Sequence, residues 1–277
     1  MLKRLSIIAS FLTAIGIYLI VAINGSNDYR YLINLWIIVV ASIGAFLIYT
    51  FLNFLVVAVM SLFVKNNKRR YHFIYLIFVH FIKYINDLAG IKVKVEGLEN
   101  IPKDQKCMIV YNHKSNFDPM LIVYYLRHHD FIAISKPENF KIPICGPFMK
   151  AVDYLAINRE SPKEAAIIIN KAIDYIKDNK YSICVAPEGT RNKISDGLLE
   201  FHSGTFKIAT KAKAPIMIIT MTNTRSIHKN FPFKKTIIEF KIAKLIEYEE
   251  IENLNTHEIS DKVRKIMMEQ LNIEEKE

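Results

Sequence analysis

Two short polar stretches carry the residue types that proton transfer and phosphate binding require. The first is Asn112-His113-Lys114-Ser115-Asn116-Phe117-Asp118, directly after the apolar run Cys107–Tyr111. Acyl transfer from a thioester to an alcohol is one reaction that asks for such a pair, because a base must take the hydroxyl proton as the oxygen attacks. Neutral imidazole suits that near pH 7, and a carboxylate beside it fixes the tautomer and stabilises the imidazolium. His113 and Asp118 stand five positions apart, whereas neighbours on a regular helical face stand three or four apart. The pair therefore needs a turn entering a helix. Taken alone, the same two residues also describe a surface histidine near an unrelated aspartate, so their surroundings must decide.

The second stretch is Pro187-Glu188-Gly189-Thr190-Arg191, after the apolar run Ser182–Ala186. Gly189 permits a tight turn with exposed backbone N–H groups, and a guanidinium such as Arg191 matches phosphate oxygens in a bidentate fork. Glu188 offers an acceptor to a substrate hydroxyl. The plainer alternative is a turn with a surface ion pair, worth ~0–1 kcal/mol. Arg159 follows the apolar run Tyr154–Asn158 and is a further phosphate ligand candidate. Gly204, in Phe201-His202-Ser203-Gly204, reads as a turn or helix start close to an anion. Pro215 opens the apolar run Ile216–Ile219, a buried strand with no chemistry assigned.

These residues need a scaffold, and from Gly90 onward the texture alternates between strand-like and helix-like segments. Strands are expected at Ile91–Val95, Cys107–Tyr111, Phe131–Ser135, Tyr154–Asn158, Ser182–Ala186, Pro215–Thr222 and Thr236–Ile242. Helical patterns fall near Pro119–Arg127, Pro162–Asn179, Thr205–Ala212 and Thr256–Leu271. Ser161 as N-cap, Pro162 in the first turn and Glu164 closing a capping box mark one helix start. Such alternation argues an α/β domain with a mixed, largely parallel sheet flanked by helices. Both polar stretches then lie at the carboxyl ends of strands, where open α/β sheets place their sites.

The amino-terminal part has a different character. Leu5–Ile23 is apolar, uncharged and long enough to span a bilayer. Lys3 and Arg4 precede it as in a signal peptide, but Val21-Ala22-Ile23-Asn24 lacks the small-x-small cleavage pattern. Asn24-Gly25-Ser26-Asn27-Asp28 reads as a chain reversal, and Tyr31–Val64 is again free of charge. As one helix it would overshoot a ~30 Å hydrocarbon core. Lys3 and Arg4 share a side with Lys65, Lys68, Arg69 and Arg70 after two crossings, which puts both termini in the cytoplasm. Tyr71–Asp87 gathers His72, His80, Lys83 and Asp87 on one narrow stripe, as in a helix lying at the membrane interface or docked on the core. The chain thus divides into a membrane anchor of two apolar helices (1–70), an amphipathic interfacial helix (71–90) and a catalytic domain (91–277).

In order, these motifs resemble those of the 1-acyl-glycerol-3-phosphate acyltransferases, within the wider glycerolipid acyltransferases that carry a histidine-x4-aspartate motif. The likeness runs from about Ile91 to Thr222: Asn112–Asp118 for the first motif, Arg159 for the second, Pro187–Arg191 for the third and Pro215 for the fourth. The resemblance implies that His113 is the base and Asp118 its partner, while Arg159, Glu188, Gly189, Thr190 and Arg191 bind the acceptor's glycerol phosphate. It implies a fatty acyl transfer from acyl-carrier protein or acyl-CoA to the free hydroxyl of lysophosphatidic acid, giving phosphatidic acid in phospholipid biosynthesis. No metal and no cofactor beyond the thioester donor is expected, and the protein would be integral to the cytoplasmic membrane, with its catalytic domain on the cytoplasmic side. There are departures: Ala186 stands where the family often has phenylalanine, Asn158 where an acid is common, and His202-Ser203 where a lysine-containing pair is common. The last removes a positive charge and leaves room for another lysophospholipid as acceptor.

The totals exclude several alternatives. The chain has 277 residues, 51% hydrophobic residues and a formal net charge of +10. The basic charge sits beside long apolar runs, and no nucleic-acid motif is present, which favours a membrane over a nucleic acid. No Gly-x-Ser-x-Gly marks a serine hydrolase, and no Gly-x-Gly-x-x-Gly or P-loop marks a nucleotide enzyme. Cys107, Cys145 and Cys184 are too dispersed for a zinc pattern and read as reduced, buried small hydrophobes. His128-His129-Asp130 reads as a solvated helix end rather than a metal site. The remaining rival is a catalytically silent lipid-binding protein of the same fold, against which the joint presence of His113 and Asp118 argues.

Overall fold

The computed structural model describes residues 7–8, 10–16, 19, 30–63, 72–193 and 197–273. Residues 7–8, 10–16 and 19 are helical; the rest of the first apolar run, the reversal before Tyr29 and the basic flanks Lys3, Arg4, Lys65, Lys68, Arg69 and Arg70 lie outside the described residues. The second run forms one helix, α1 (Arg30–Phe63), whose portion Trp36–Phe63 is long and apolar enough to cross a membrane. An antiparallel partner, α2 (His72–Leu88), packs against it: Thr50 Oγ1 and Tyr84 Oη are 2.8 Å apart, and the Phe54 and Phe81 rings meet edge to face at 4.9 Å. The outer stripe of α2 carries exposed His80 and the Lys83–Asp87 ion pair, while Val79, Phe81, Ile82 and Tyr84 are buried.

The rest is one α/β domain: β1 (Ile91–Glu96), β2 (Met108–Tyr111), α3 (Phe117–Tyr125), β3 (Phe131–Ser135), α4 (Cys145–Ala151), β4 (Leu155–Ala156), α5 (Pro162–Lys177), β5 (Ser182–Val185), α6 (Lys207–Ala212), β6 (Ile216–Met221), α7 (Ile227–Asn230), β7 (Thr236–Ile246) and α8 (Thr256–Leu271). The strands form a seven-stranded sheet in the order β1-β7-β6-β2-β5-β3-β4. Its five central and far strands run parallel, β7 runs antiparallel to β6, and β1 runs parallel to β7. The carboxyl ends of β2, β3, β4, β5 and β6 therefore share an edge with the amino ends of β1 and β7.

All four residues of β2 and of β5 are buried, as strands covered on both faces must be. Met108 and Val110 face the core made with α5, α6 and α8, and Ile109 and Tyr111 face the core made with α2 and α3. Several local expectations need correction. The Ser161 hydroxyl does accept from Glu164 N, but the Glu164 carboxylate takes Asn158 Nδ2 at 3.1 Å, so the box does not close on itself. Cys107 and Cys184 are buried, and burial pushes the Cys107 thiol up to about 12, so it stays neutral. Cys145 is exposed instead, because it opens the short helix α4. His128 and Asp130 are exposed just after α3, as at a solvated helix end, while His129 Nε2 lies 2.8 Å from Ser182 Oγ and Asp130 pairs with Lys106.

Candidate active site

The loop between β2 and α3 makes the turn that a five-residue spacing requires. His113 Nδ1 lies 3.0 Å from Asp118 Oδ2, and the same oxygen accepts Lys114 N and Ser115 N at 2.7 Å each. A carboxylate oxygen that takes two backbone N–H groups accepts from the imidazole as well. Nδ1 therefore carries the proton, and Nε2 keeps its lone pair. Asp118 is 0% exposed and sits in the first turn of α3, where the helix N-terminus favours an anion. Its Oδ1 is buried without a hydrogen-bond partner.

The His113 backbone is held from both sides. Its N–H donates to Glu188 Oε1 at 2.8 Å, and its carbonyl accepts Asn192 N at 2.8 Å. One residue earlier, buried Asn112 makes a paired clamp on the end of β6: Nδ2 donates to Met221 O at 2.9 Å, and Oδ1 accepts Met221 N at 2.8 Å. Glu188 is 2% exposed, and its second oxygen accepts Leu199 N at 2.9 Å. Its carboxylate thus ties the His113 loop to the segment around Leu199. Burial pushes its pKa up, and the two backbone N–H bonds with nearby His113 and Lys114 pull part of the way back. Both oxygens are engaged by backbone N–H groups, so Glu188 braces the His113 loop from the wall of a neighbouring cavity.

A cavity of about 320 Å³ opens in front of His113, lined by Arg159, Gly189, Thr190 and Arg191 together with Lys136 and Lys193. A second cavity of about 450 Å³ shares the wall of Lys136, Arg159, Gly189 and Thr190 and adds Glu188 and His202. Gly189 has φ +72°, and a Cβ there would stand 2.6 Å from the His202 ring and 2.7 Å from Arg159 Nη1. The positive φ favours glycine, and a Cβ would have to push the His202 ring and the Arg159 guanidinium aside. Gly204 lies within the turn Ser203–Phe206 and lines neither cavity, and the Pro215 carbonyl takes Met108 N at 2.9 Å as a structural strand end.

Lys136 is the residue that motif reading passed over. It directly follows β3, as Arg159 follows the β4 region, so the rule that pointed to Arg159 points to it equally. Together with Lys193 it supplies the positive charge that His202-Ser203 lacks.

An acyltransferase family model matches residues 92–222. The chain is 33% identical over 177 residues to the 1-acyl-sn-glycerol-3-phosphate acyltransferase of Borreliella burgdorferi, covering 61% of this chain and 69% of that relative. This chain belongs to the 1-acyl-sn-glycerol-3-phosphate acyltransferase family. The enzyme of the same name from Saccharomyces cerevisiae is 30% identical over 197 residues, with 70% of this chain and 63% of that protein covered. Among solved structures, the 1-acyl-sn-glycerophosphate (LPA) acyltransferase PlsC from Thermotoga maritima superposes with a TM-score of 0.58 at 23% identity, over 77% of this chain and 86% of that one. That likeness concerns the fold, and it agrees with the mixed sheet described above. This acyltransferase carries the histidine–aspartate loop inside the segment that the family model covers.

Proposed function

We propose that this acyltransferase moves a fatty acyl group from an acyl-carrier protein or coenzyme A thioester to the free hydroxyl of lysophosphatidic acid, forming phosphatidic acid. The observation that carries this reading is the single cavity that holds His113 beside Lys136, Arg159, Arg191 and Lys193. A base and a phosphate-sized set of cations in one cavity suit an acceptor that has both a hydroxyl and a phosphate. In the reaction, His113 Nε2 takes the hydroxyl proton as the oxygen attacks the thioester carbonyl. Asp118 stabilises the resulting imidazolium. The tetrahedral intermediate then collapses, the C–S bond breaks, and the imidazolium returns its proton to the departing sulfur. The cations hold the acceptor phosphate through charge-assisted hydrogen bonds, each worth ~1.5–3 kcal/mol.

The test is a panel of lysophospholipid acceptors with each thioester donor, read as free thiol released. Lysophosphatidate should exceed acceptors whose phosphate bears a choline or ethanolamine. A higher kcat/KM for such an acceptor would replace this reading with the broader lysophospholipid one, for which His202-Ser203 in place of a lysine-containing pair leaves room. We further propose that α1 lies in the cytoplasmic membrane with the catalytic domain on the cytoplasmic side, in keeping with the uncharged stretch Trp36–Phe63 and with the basic residues that flank the apolar runs in the sequence. Alkaline carbonate washing should leave the full-length protein in the membrane pellet, and its recovery in the wash would refute the anchor.

A further inference from the structure

The segment between α7 and β7 is exposed over five successive residues, Phe231-Pro232-Phe233-Lys234-Lys235. Phe233 is 94% exposed and Phe231 50%, with exposed His228 and Lys229 just before them. The loop is braced at both ends. Phe231 N donates to Ile227 O at 3.0 Å, Lys234 N to Asn230 O at 2.7 Å, and Asn230 Nδ2 to Thr236 Oγ1 at 3.0 Å. Two phenylalanines are thus held out into solvent by a pinned backbone, with lysines on their flanks.

The position of the loop is as informative as its composition. Thr236 N donates to Gly90 O at 3.0 Å, which places the loop's end at the carboxyl end of α2. Because Thr50 meets Tyr84 and Phe54 meets Phe81, α1 runs antiparallel to α2. The part of α1 before Thr50 therefore continues past that same end of α2. Arg30–Tyr49 amounts to ~30 Å of helix, whereas α2 ends ~6 Å beyond Tyr84. Trp36, Val40 and Ile43 in that projecting part are exposed and apolar. The loop also sits on the active-site edge of the sheet, with the His228 ring 5.8 Å from the ring of Phe117, which adjoins Asp118.

We propose that Phe231 and Phe233 form a second membrane contact, a wedge that enters the headgroup–acyl boundary of an anionic bilayer while Lys229, Lys234 and Lys235 meet lipid phosphates. Aromatic side chains beside lysines are the composition that interfacial segments use. The loop presents two exposed aromatic rings, Phe233 at 94%, among its lysines, whereas ion-pair docking of an acidic carrier protein would call for charge alone. Such a wedge would hold the mouth of the His113 cavity against the surface from which a lipid acceptor arrives. This inference rests on the reading that α1 lies in the bilayer.

The test uses the full-length protein in lipid nanodiscs. Trp36 is the single tryptophan, so a Trp36→Phe, Phe233→Trp protein carries one reporter at the loop and the parent carries one on α1. The loop reporter should emit at shorter wavelength than free tryptophan and be quenched more by lipids brominated on their acyl chains than by aqueous iodide. Full quenching by iodide with none by bromolipid would overturn the wedge, and the parent's Trp36 separates the causes. If Trp36 is quenched by bromolipid and the loop reporter is not, the wedge fails alone; if neither is, the membrane reading of α1 fails with it. In parallel, Phe231→Ser with Phe233→Ser should raise the KM for bilayer-presented acceptor roughly tenfold, leaving turnover of a short-chain, monomeric acceptor unchanged. An effect confined to the KM for an acyl-carrier-protein thioester would assign the loop to the carrier and overturn the proposal. Replacing Lys229, Lys234 and Lys235 by Gln should abolish any preference for anionic over zwitterionic nanodiscs, and a preference that survived would contradict the assigned role of the lysines.

Discussion

Replacing Glu188 by Gln separates a residue that supports the histidine from one that reads the acceptor. In the native protein its two oxygens accept His113 N at 2.8 Å and Leu199 N at 2.9 Å, inside a nearly inaccessible site. Glutamine keeps the shape but has one acceptor and one donor. Whichever way it turns, an NH2 group faces a backbone N–H. The lost bond to a charged acceptor is worth ~1.5–3 kcal/mol, and relief from burying a charge returns part of that. A net loss of ~1–2 kcal/mol follows, with the His113 loop loosened. Steady-state kinetics on folded Glu188→Gln should show kcat falling ~10-fold or more, with both KM values little changed. The folded carboxyl holds its proton more tightly than the unfolded one, because burial raises its pKa above the ordinary 4.5. Between those two values the folded state carries the extra proton. Stability therefore declines as pH rises through that window, by an amount that Glu188→Gln removes. A variant with normal kcat and a sharply raised acceptor KM would refute the supporting role and return Glu188 to the acceptor's hydroxyl.

Other outcomes follow from the same geometry. Arg159→Ala and Arg191→Ala should each raise the acceptor KM ~10- to 100-fold, far more than the thioester KM, with lysine at position 191 rescuing only in part because it lacks the planar fork. Equal effects on both substrates would mean that these arginines hold the loop or touch the donor. Gly189→Ala should destabilise the protein by ~1–3 kcal/mol and displace Arg159 or the His202 ring, read as a lowered Tm and a raised acceptor KM. An unchanged Tm would show that the turn relaxes at no cost.

Much of this arrangement was legible before the fold was known, and for identifiable reasons. Strands such as Phe131–Ser135 and Ser182–Val185 are short apolar runs between turn signals, and Thr256–Leu271 opens with the Asn255–Glu258 capping box that its composition allows. Helix α4 was missed because Gly146 and Pro147 inside a seven-residue segment read as loop. Lys136 was missed because one lysine among 37 basic residues has no local mark; only its place after β3 distinguishes it. The bond from His113 to Glu188 joins residues 75 apart in the chain, so no spacing could announce it. The Glu164 carboxylate likewise went to Asn158, a partner set by how the β4 region meets α5.

The most direct test of the central claim is the turnover of His113→Ala, folded and membrane-inserted, with lysophosphatidate and a long-chain acyl thioester. Asp118 holds His113 Nδ1, and His113 lines the cation-lined cavity, so under the proposed mechanism loss of the base should lower kcat ~10²- to 10⁴-fold with thioester binding retained. A rate near that of the native enzyme would contradict the account, since the proton would then leave the acceptor hydroxyl by a route that does not pass through His113.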